Sequence, residues 1–148
     1  MKLMKLLTAL LCCIVAFAAE TKVKLEDLPG PVRTSVQEQL KGAELVGLTK
    51  EKEKGKTSYE VETKRNGKTR DILLDASGAV TEVEQEIDLA AVPAAARAAL
   101  DKRTAGATIT KIEALSKGGT IFAYEAAIKK GRKASEVLVT PEGKPFKD

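Results

Sequence analysis

Two stretches of the chain are alike: LPGPVRTSVQEQLKGAELVGL at residues 28–48 and VPAAARAALDKRTAGATITKI at residues 92–112. Their spacing is 64 residues, and after one extra residue near Gly118-Gly119 it becomes 65. The matches are Leu28-Pro29 with Val92-Pro93, Gly42-Ala43 with Gly106-Ala107, Tyr59-Glu60 with Tyr124-Glu125, and Gly78 with Gly143. Because a single one-residue shift aligns so many positions, we interpret the chain as two copies of one supersecondary unit.

Each copy begins with a helical pattern. Val32, Val36 and Leu40 recur at helical spacing until Gly42 ends the run, and Asp27 is the predicted N-cap. The second copy repeats the pattern with Val92, Ala96 and Leu100, ending at Gly106. The sequence therefore predicts one amphipathic helix of about three turns in each half.

After each helix, apolar residues alternate with polar ones, which is the period of a β-strand. Asn66-Gly67 lies between two such runs and is a strong hairpin signal, and Lys130-Gly131 is the corresponding turn in the second copy. The second copy is expected to hold strands at 107–115, 121–128, 133–140 and 144–147. The prediction is an α+β fold of two tandem αββββ repeats, at residues 19–88 and 89–148, each a helix packed on one face of a four-stranded antiparallel sheet.

The alternation divides each predicted sheet into two faces. The expected core residues are Tyr59, Val61, Ile72 and Leu74, then Phe122, Tyr124, Ala126, Ile128, Val137 and Val139. The opposite face is expected to carry Glu60, Glu62, Arg70, Asp71, Leu73 and Asp75, then Glu125, Glu136 and Leu138. Leu73 and Leu138 are candidate partner contacts on this charged face, although single exposed leucines are also common on ordinary surfaces.

Residues 1–18 have the pattern of a signal peptide. Lys2 and Lys5 precede an apolar run, and Ala16-Phe17-Ala18 predicts cleavage after Ala18. We therefore expect a periplasmic or secreted protein with no transmembrane segment, because no later apolar stretch is long enough to span a bilayer. Both cysteines, Cys12 and Cys13, lie inside this leader, and the apolar residues before Cys12 make a lipoprotein the weaker interpretation.

Composition argues against several kinds of chemistry. The 148 residues include no His, so a His-based triad, a His-ligated zinc and a haem are excluded. Gly55-Lys56-Thr57 and Gly67-Lys68-Thr69 lack the first glycine of a phosphate-binding loop. The charges are too balanced for a general nucleic-acid surface. We expect no enzyme activity, no cofactor, no metal and no nucleic-acid partner.

Basic residues flank both predicted hairpin turns. Lys64 and Arg65 lie beside the first turn, and Lys129, Lys130 and Arg132 lie beside the second. If the copies pack side by side, these hairpin tips would make one cationic rim for an anionic envelope polymer or small ligand. Turns also need solvated residues, and lysines protect edge strands from unwanted pairing, so an ordinary surface role accounts for the same charges.

The Leu-Pro or Val-Pro helix start, the Gly-Ala strand entry, the aromatic-Glu strand and the strand that ends in a Gly turn resemble the PepSY-like family. That family is also described as resembling the β-lactamase inhibitory protein. The similarity extends from about residue 25 to residue 146. It implies an exported, non-catalytic module that presents a sheet face to a protein partner, such as a secreted or envelope peptidase. The alternative is a binder of anionic polymer or small ligand through the basic hairpin tips.

Overall fold

The computed structural model describes residues 19–146, so the predicted signal peptide and its cleavage site lie outside the described residues. Two helices and eight strands make up the fold. The helices are α1 (Gly30–Gln39) and α2 (Ala94–Arg103). The strands are β1 (Ala19–Lys22), β2 (Glu44–Glu53), β3 (Lys56–Arg65), β4 (Lys68–Asp75), β5 (Val80–Glu86), β6 (Thr108–Lys117), β7 (Thr120–Lys130) and β8 (Lys133–Val139). Neither described helix is long and apolar enough to cross a membrane.

All eight strands form one antiparallel sheet in chain order, which corrects the expectation of two four-stranded sheets. Strand β5 pairs with β6, from Val83 opposite Ser116 to Glu86 opposite Glu113, and this joins the two halves. Strand β1 was not predicted and pairs with the edge of β2. The expected α+β class is confirmed, with a single sheet.

The last predicted strand, at 144–147, is reduced within the described residues to an isolated bridge between Val139 and Pro145. Proline has no N–H to donate, so it cannot continue a hydrogen-bonded ladder. Phe146 N still donates to Leu138 O at 3.2 Å, which holds the chain against the outer edge of β8.

The helices begin at prolines rather than at the predicted cap. Asp27 ends a short 3-10 turn, Leu25–Asp27, and Pro29 occupies the N-cap position of α1 without a side-chain cap. Proline fixes φ near its helical value, so the helix can start without the Asp cap that the sequence predicted. Pro93 holds the same position before α2.

Both helices pack on one face of the sheet. The cluster under α1 contains the four predicted core residues, Tyr59, Val61, Ile72 and Leu74. The cluster under α2 contains Tyr124, Ala126 and Val139, with Ile128 and Val137 partly buried beside it. At the joint Gln85 is directly opposite Ala114, a member of the second cluster. Gln85 is also opposite Arg70 on β4. Arg70 and Ile72 are two residues apart on that strand, so they point to the same face as Gln85 and Ala114. The two clusters therefore lie on the same side of the sheet.

One glycine in each half lets the chain approach a helix closely. A Cβ on Gly78 would lie 2.7 Å from Pro31 O, and a Cβ on Gly143 would lie 2.5 Å from Ala95 O. Both glycines have positive φ, 86° and 80°. Ser35 Oγ also donates to Gly78 O at 2.6 Å. These contacts fix where each helix rests on the sheet.

The hairpin prediction is confirmed at Asn66-Gly67, where both residues have positive φ, 52° and 81°. This is the backbone of a type I′ turn, which Asn-Gly favours. In the second half Lys130 pairs with Lys133, so the turn is Gly131-Arg132, one residue later than predicted. Gly131 alone supplies positive φ there, because Arg132 remains at negative φ.

Candidate functional site

The face of the sheet opposite the helices, here called the open face, is the candidate site. Within residues 19–146 no helix or strand lies on it, because both helices pack on the other side. Strand register places open-face side chains in rows across the sheet. One row runs Glu60, Leu73, Glu82, and the next runs Glu62, Asp71, Glu84, Leu115, Ala123.

Carboxylates from both halves of the chain dominate the open face. Those on β3 to β8 include Glu60, Glu62, Asp71, Glu82, Glu84, Glu86, Glu113, Glu125 and Glu136, and Glu20 on β1 and Glu51 on β2 share the same face. Glu113 is 2 % exposed, Glu125 7 % and Glu82 9 %, although nothing described covers this face. Neighbouring side chains on the sheet therefore bury these groups.

Burial and mutual repulsion raise the pKa values of these carboxyl groups. Burial is the larger cause for Glu84, followed by the charges of Glu113 and Glu125, and the pKa rises to about 8. Burial, with the charge of Asp71, raises the pKa of Glu60 to about 7. The pKa of Glu125 also rises to about 7 and that of Asp71 to about 6, again mainly through burial. These carboxyls gain and lose protons near neutral pH.

Three of the carboxylates converge at the joint between the halves. Oxygens of Asp71, Glu84 and Glu113 lie within 4.8 Å of one another. Lys111 Nζ lies 2.7 Å from Glu113 Oε1. Burial lowers the pKa of Lys111, but its contact with Glu113 and the charge of Asp71 outweigh burial and raise it. Oxygen clusters of this kind suit a hard cation, but the ammonium of Lys111 already supplies positive charge here.

The predicted contact leucines both lie on the open face and are half-buried, but the structure keeps them apart. Leu73 in β4 stands between Glu60 and Glu82, and Leu138 in β8 is opposite Glu125. Strands β5, β6 and β7 separate the two leucines. Sequence reasoning missed the apolar residues between them, Leu115 (2 % exposed) and Ala123 (0 %).

Phe122 was predicted as a core residue, and this prediction is wrong. Leu115 is opposite Ala123 and Ser116 is opposite Ile121, so Phe122 is the extra residue of a β-bulge. Its ring lies 5.4 Å from the ring of Phe146 and 4.7 Å from Lys117 Nζ. The extra residue breaks the alternation from which the core position was inferred.

Arg70 was predicted on the open face and lies on the helix side instead. Arg70 and Ile72 are two residues apart on β4 and therefore point to the same face of the sheet. Arg70 Nη1 donates to Gln39 Oε1, at the end of α1, at 3.0 Å. The prediction combined adjacent residues, Arg70 and Asp71, although neighbours along a strand point to opposite faces.

The two basic hairpin tips lie at the same end of the sheet, but β5 and β6 stand between their strand pairs. Strand alternation places Lys64 and Lys129 on the open face, where Lys64 is opposite Thr69 and Lys129 is opposite Ala134. Arg65 turns to the helix side and donates to Lys41 O. Lys130, beside Gly106, lies on the helix side too, and Arg132 is exposed in the turn. The seven predicted site residues therefore do not form one patch.

Residues 32–84 match the family model described as "Peptidase propeptide and YPEB domain", known as PepSY. The resemblance to PepSY is confirmed over this segment. The PepSY match begins in α1 and ends in β5, and so contains Glu60, Asp71 and Glu84 of the open face. Among curated proteins, no sequence matches the chain.

Several solved structures share the fold at low identity. A protein of Bacteroides eggerthii, described as a candidate periplasmic protein, has a TM-score of 0.64 at 15% identity, covering 81% of this chain and 86% of that one. A DUF2874 family protein of Bacteroides ovatus has a TM-score of 0.60 at 14% identity, covering 81% and 85%. A BLIP-like protein of Bacteroides fragilis has a TM-score of 0.53 at 15% identity, covering 77% and 82%.

Proposed function

We propose that the protein is an exported, non-catalytic binding module that presents the open face to a protein partner. One observation carries this proposal: both helices cover one side of an eight-stranded sheet, and no described element covers the other. An uncovered face that combines partly buried leucines with ionisable groups is suited to recognition by a second macromolecule.

The partner class we propose is a secreted or envelope peptidase, which the module would restrain. The PepSY description refers to a peptidase propeptide, and the fold is shared with a BLIP-like protein. Export is supported by the predicted leader at residues 1–18 and by the description of the B. eggerthii protein. We interpret residues 19–88 and 89–148 as two tandem repeats, because each half contains one helix and one glycine that contacts this helix closely.

Site-specific photo-crosslinking tests this function. A photoreactive residue is placed at Leu73 or Leu138 on the open face, and in matched controls at Gln37 or Arg97, which are exposed on the helices. We expect one protein of the periplasmic extract to crosslink at the open-face positions and to be identified as a peptidase that the module inhibits. Crosslinks only from the helix positions, or none, would contradict the proposal.

A second candidate function uses the hairpin tips. Lys64 and Lys129 lie at one end of the open face, which favours binding of an anionic polymer at that end. Charge reversal at Lys64, Arg65, Lys129 and Arg132 should then abolish sedimentation with vesicles rich in phosphatidylglycerol. Unchanged sedimentation of the reversed variant would eliminate this candidate.

A further inference from the structure

We propose that the open face binds a cationic polypeptide segment, whose lysine and arginine side chains neutralise its carboxylates. This inference rests on the proposed function and narrows its partner to a basic surface or strand.

The distribution of charge is the first support. Without the predicted leader, which contains Lys2 and Lys5, the net charge is +2, so the protein as a whole offers a cationic partner no net attraction. The open face nevertheless concentrates carboxylates from all eight strands, with Lys22 at its β1 edge and Lys64 and Lys129 at one end. The two lysines that lie in the middle of the carboxylates are already engaged. Lys111 Nζ contacts Glu113 at 2.7 Å, and Lys117 Nζ contacts Glu82 at 3.2 Å. Attraction for a cation is therefore strongest at this face.

Most of the remaining carboxylates have no cationic partner within the described part of the chain. No ion pair between residues 19 and 146 includes Glu60, Glu62, Asp71, Glu84 or Glu125. Glu113 differs from these five, because its buried Oε1 is paired with Lys111 Nζ. Cationic donors from outside would supply the missing partners of the five unpaired carboxylates.

The extent of the charged surface favours a polypeptide over a single metal ion. Between β3 and β8 alone the carboxylates extend over five strand spacings, or about 24 Å, far beyond one coordination sphere. Side chains two apart on a strand, such as Glu82 and Glu84, are about 7 Å apart, which matches alternate side chains of an extended peptide. Leu73 and Leu138, which are half-buried between the charges, suit the apolar stems of lysine and arginine.

Proton linkage follows from the same geometry. The charged groups that face Glu84 are Asp71 on β4, Glu82 and Glu86 on β5, Lys111, Glu113 and Lys117 on β6, and Glu125 on β7. Farther out on the same face lie Glu60, Glu62 and Lys64 on β3, Glu136 on β8, Lys129 on β7, Glu51 on β2, and Glu20 and Lys22 on β1. A cationic segment favours the ionised carboxylates, so binding at pH 7 should release protons. Affinity should rise from pH 5.5 to pH 8.

Titration calorimetry with a defined probe tests the inference. The probe is a peptide of six Lys-Thr repeats, with six Glu-Thr repeats as the control peptide, in low salt at pH 5.5, 7 and 8. The test variant carries Glu60→Gln, Glu84→Gln and Glu125→Gln. The matched control variant carries Asp27→Asn, Glu38→Gln and Asp101→Asn, three exposed carboxylates away from the open face. Both variants remove three carboxyl groups.

We expect the Lys-Thr peptide alone to bind, more tightly at pH 8 than at pH 5.5, with proton release at pH 7 seen as a buffer-dependent enthalpy. The test variant should bind about tenfold more weakly, the loss expected of three partly exposed ion pairs, while the control variant should bind nearly as the parent does. Absence of peptide binding, equal losses in both variants, or saturable calcium uptake without peptide binding would overturn the inference. If the crosslinked partner is captured equally well by the test variant, the proposed function stands and this inference is wrong.

Discussion

At the scale of single residues, the carboxyl groups of the open face set the pH response of the fold. Glu84 has its pKa raised from 4.5 to about 8, so between these values the folded chain holds a proton that the unfolded chain has lost. The free energy of unfolding therefore falls as pH rises through this window. Glu60 and Glu125, with pKa values of about 7, act in the same direction.

Glu84→Gln should remove the Glu84 part of this dependence. At pH 8 the variant should be more stable than the parent by about 1 kcal/mol, a figure reduced for the partial exposure of the side chain, and at pH 4 the two should unfold alike. Thermal unfolding across this pH range measures the difference. Glu38→Gln, on the exposed side of α1, is the control and should leave the profile unchanged. A Glu84→Gln variant no more stable than the parent at pH 8 would contradict the assignment.

At the scale of elements, close helix approach depends on Gly78 and Gly143. Gly78→Ala combines an unfavourable positive φ, about 1 kcal/mol, with a Cβ pressed against Pro31 O, about 1–3 kcal/mol more. Gly67→Ala is the matched control, because Gly67 has a similar φ of 81° and nothing within 4 Å of the added Cβ. Denaturant unfolding of both variants should show the larger loss at Gly78. Equal losses in the two variants would mean that the contact between Gly78 and α1 contributes nothing to the free energy of unfolding.

The sequence predicted elements well where chemistry is local. Asn66-Gly67 specifies its turn because both residues tolerate positive φ, and the alternation around Val61 and Ile72 specifies the core face. The prediction was wrong where a second feature of the chain, a proline or a β-bulge, overrode the local sequence pattern. Pro29 replaced the Asp27 cap, Pro145 reduced the last strand to a bridge, and the bulge at Phe122 broke the alternation.

At the scale of the whole molecule, the joint between β5 and β6 was beyond sequence reasoning. These strands are connected through α2, so no turn signal specifies their pairing. The convergence of Asp71, Glu84 and Glu113 depends on that pairing and was missed for the same reason. Within each strand, however, the spacing of Glu60 and Glu62 did indicate a charged face.

A continuous sheet also predicts cooperative unfolding. Because β5 and β6 share backbone hydrogen bonds, both halves should unfold in one transition, and Gly78→Ala in the first half should lower the midpoint of the second half too. Hydrogen exchange of β3 and β7 amides under increasing denaturant measures the two halves separately. Separate midpoints for β3 and β7 would show that the halves are independent.

We propose that the open face, rather than the helices or the hairpin tips, takes the partner. The most direct measurement is the crosslinking yield from Leu138 on the open face, compared with Arg97 on α2 and Arg132 at a hairpin tip, in the same periplasmic extract. We expect a crosslinked partner from Leu138 and background yield from Arg97 and Arg132. A partner crosslinked from Arg97 or Arg132 but not from Leu138 would contradict it.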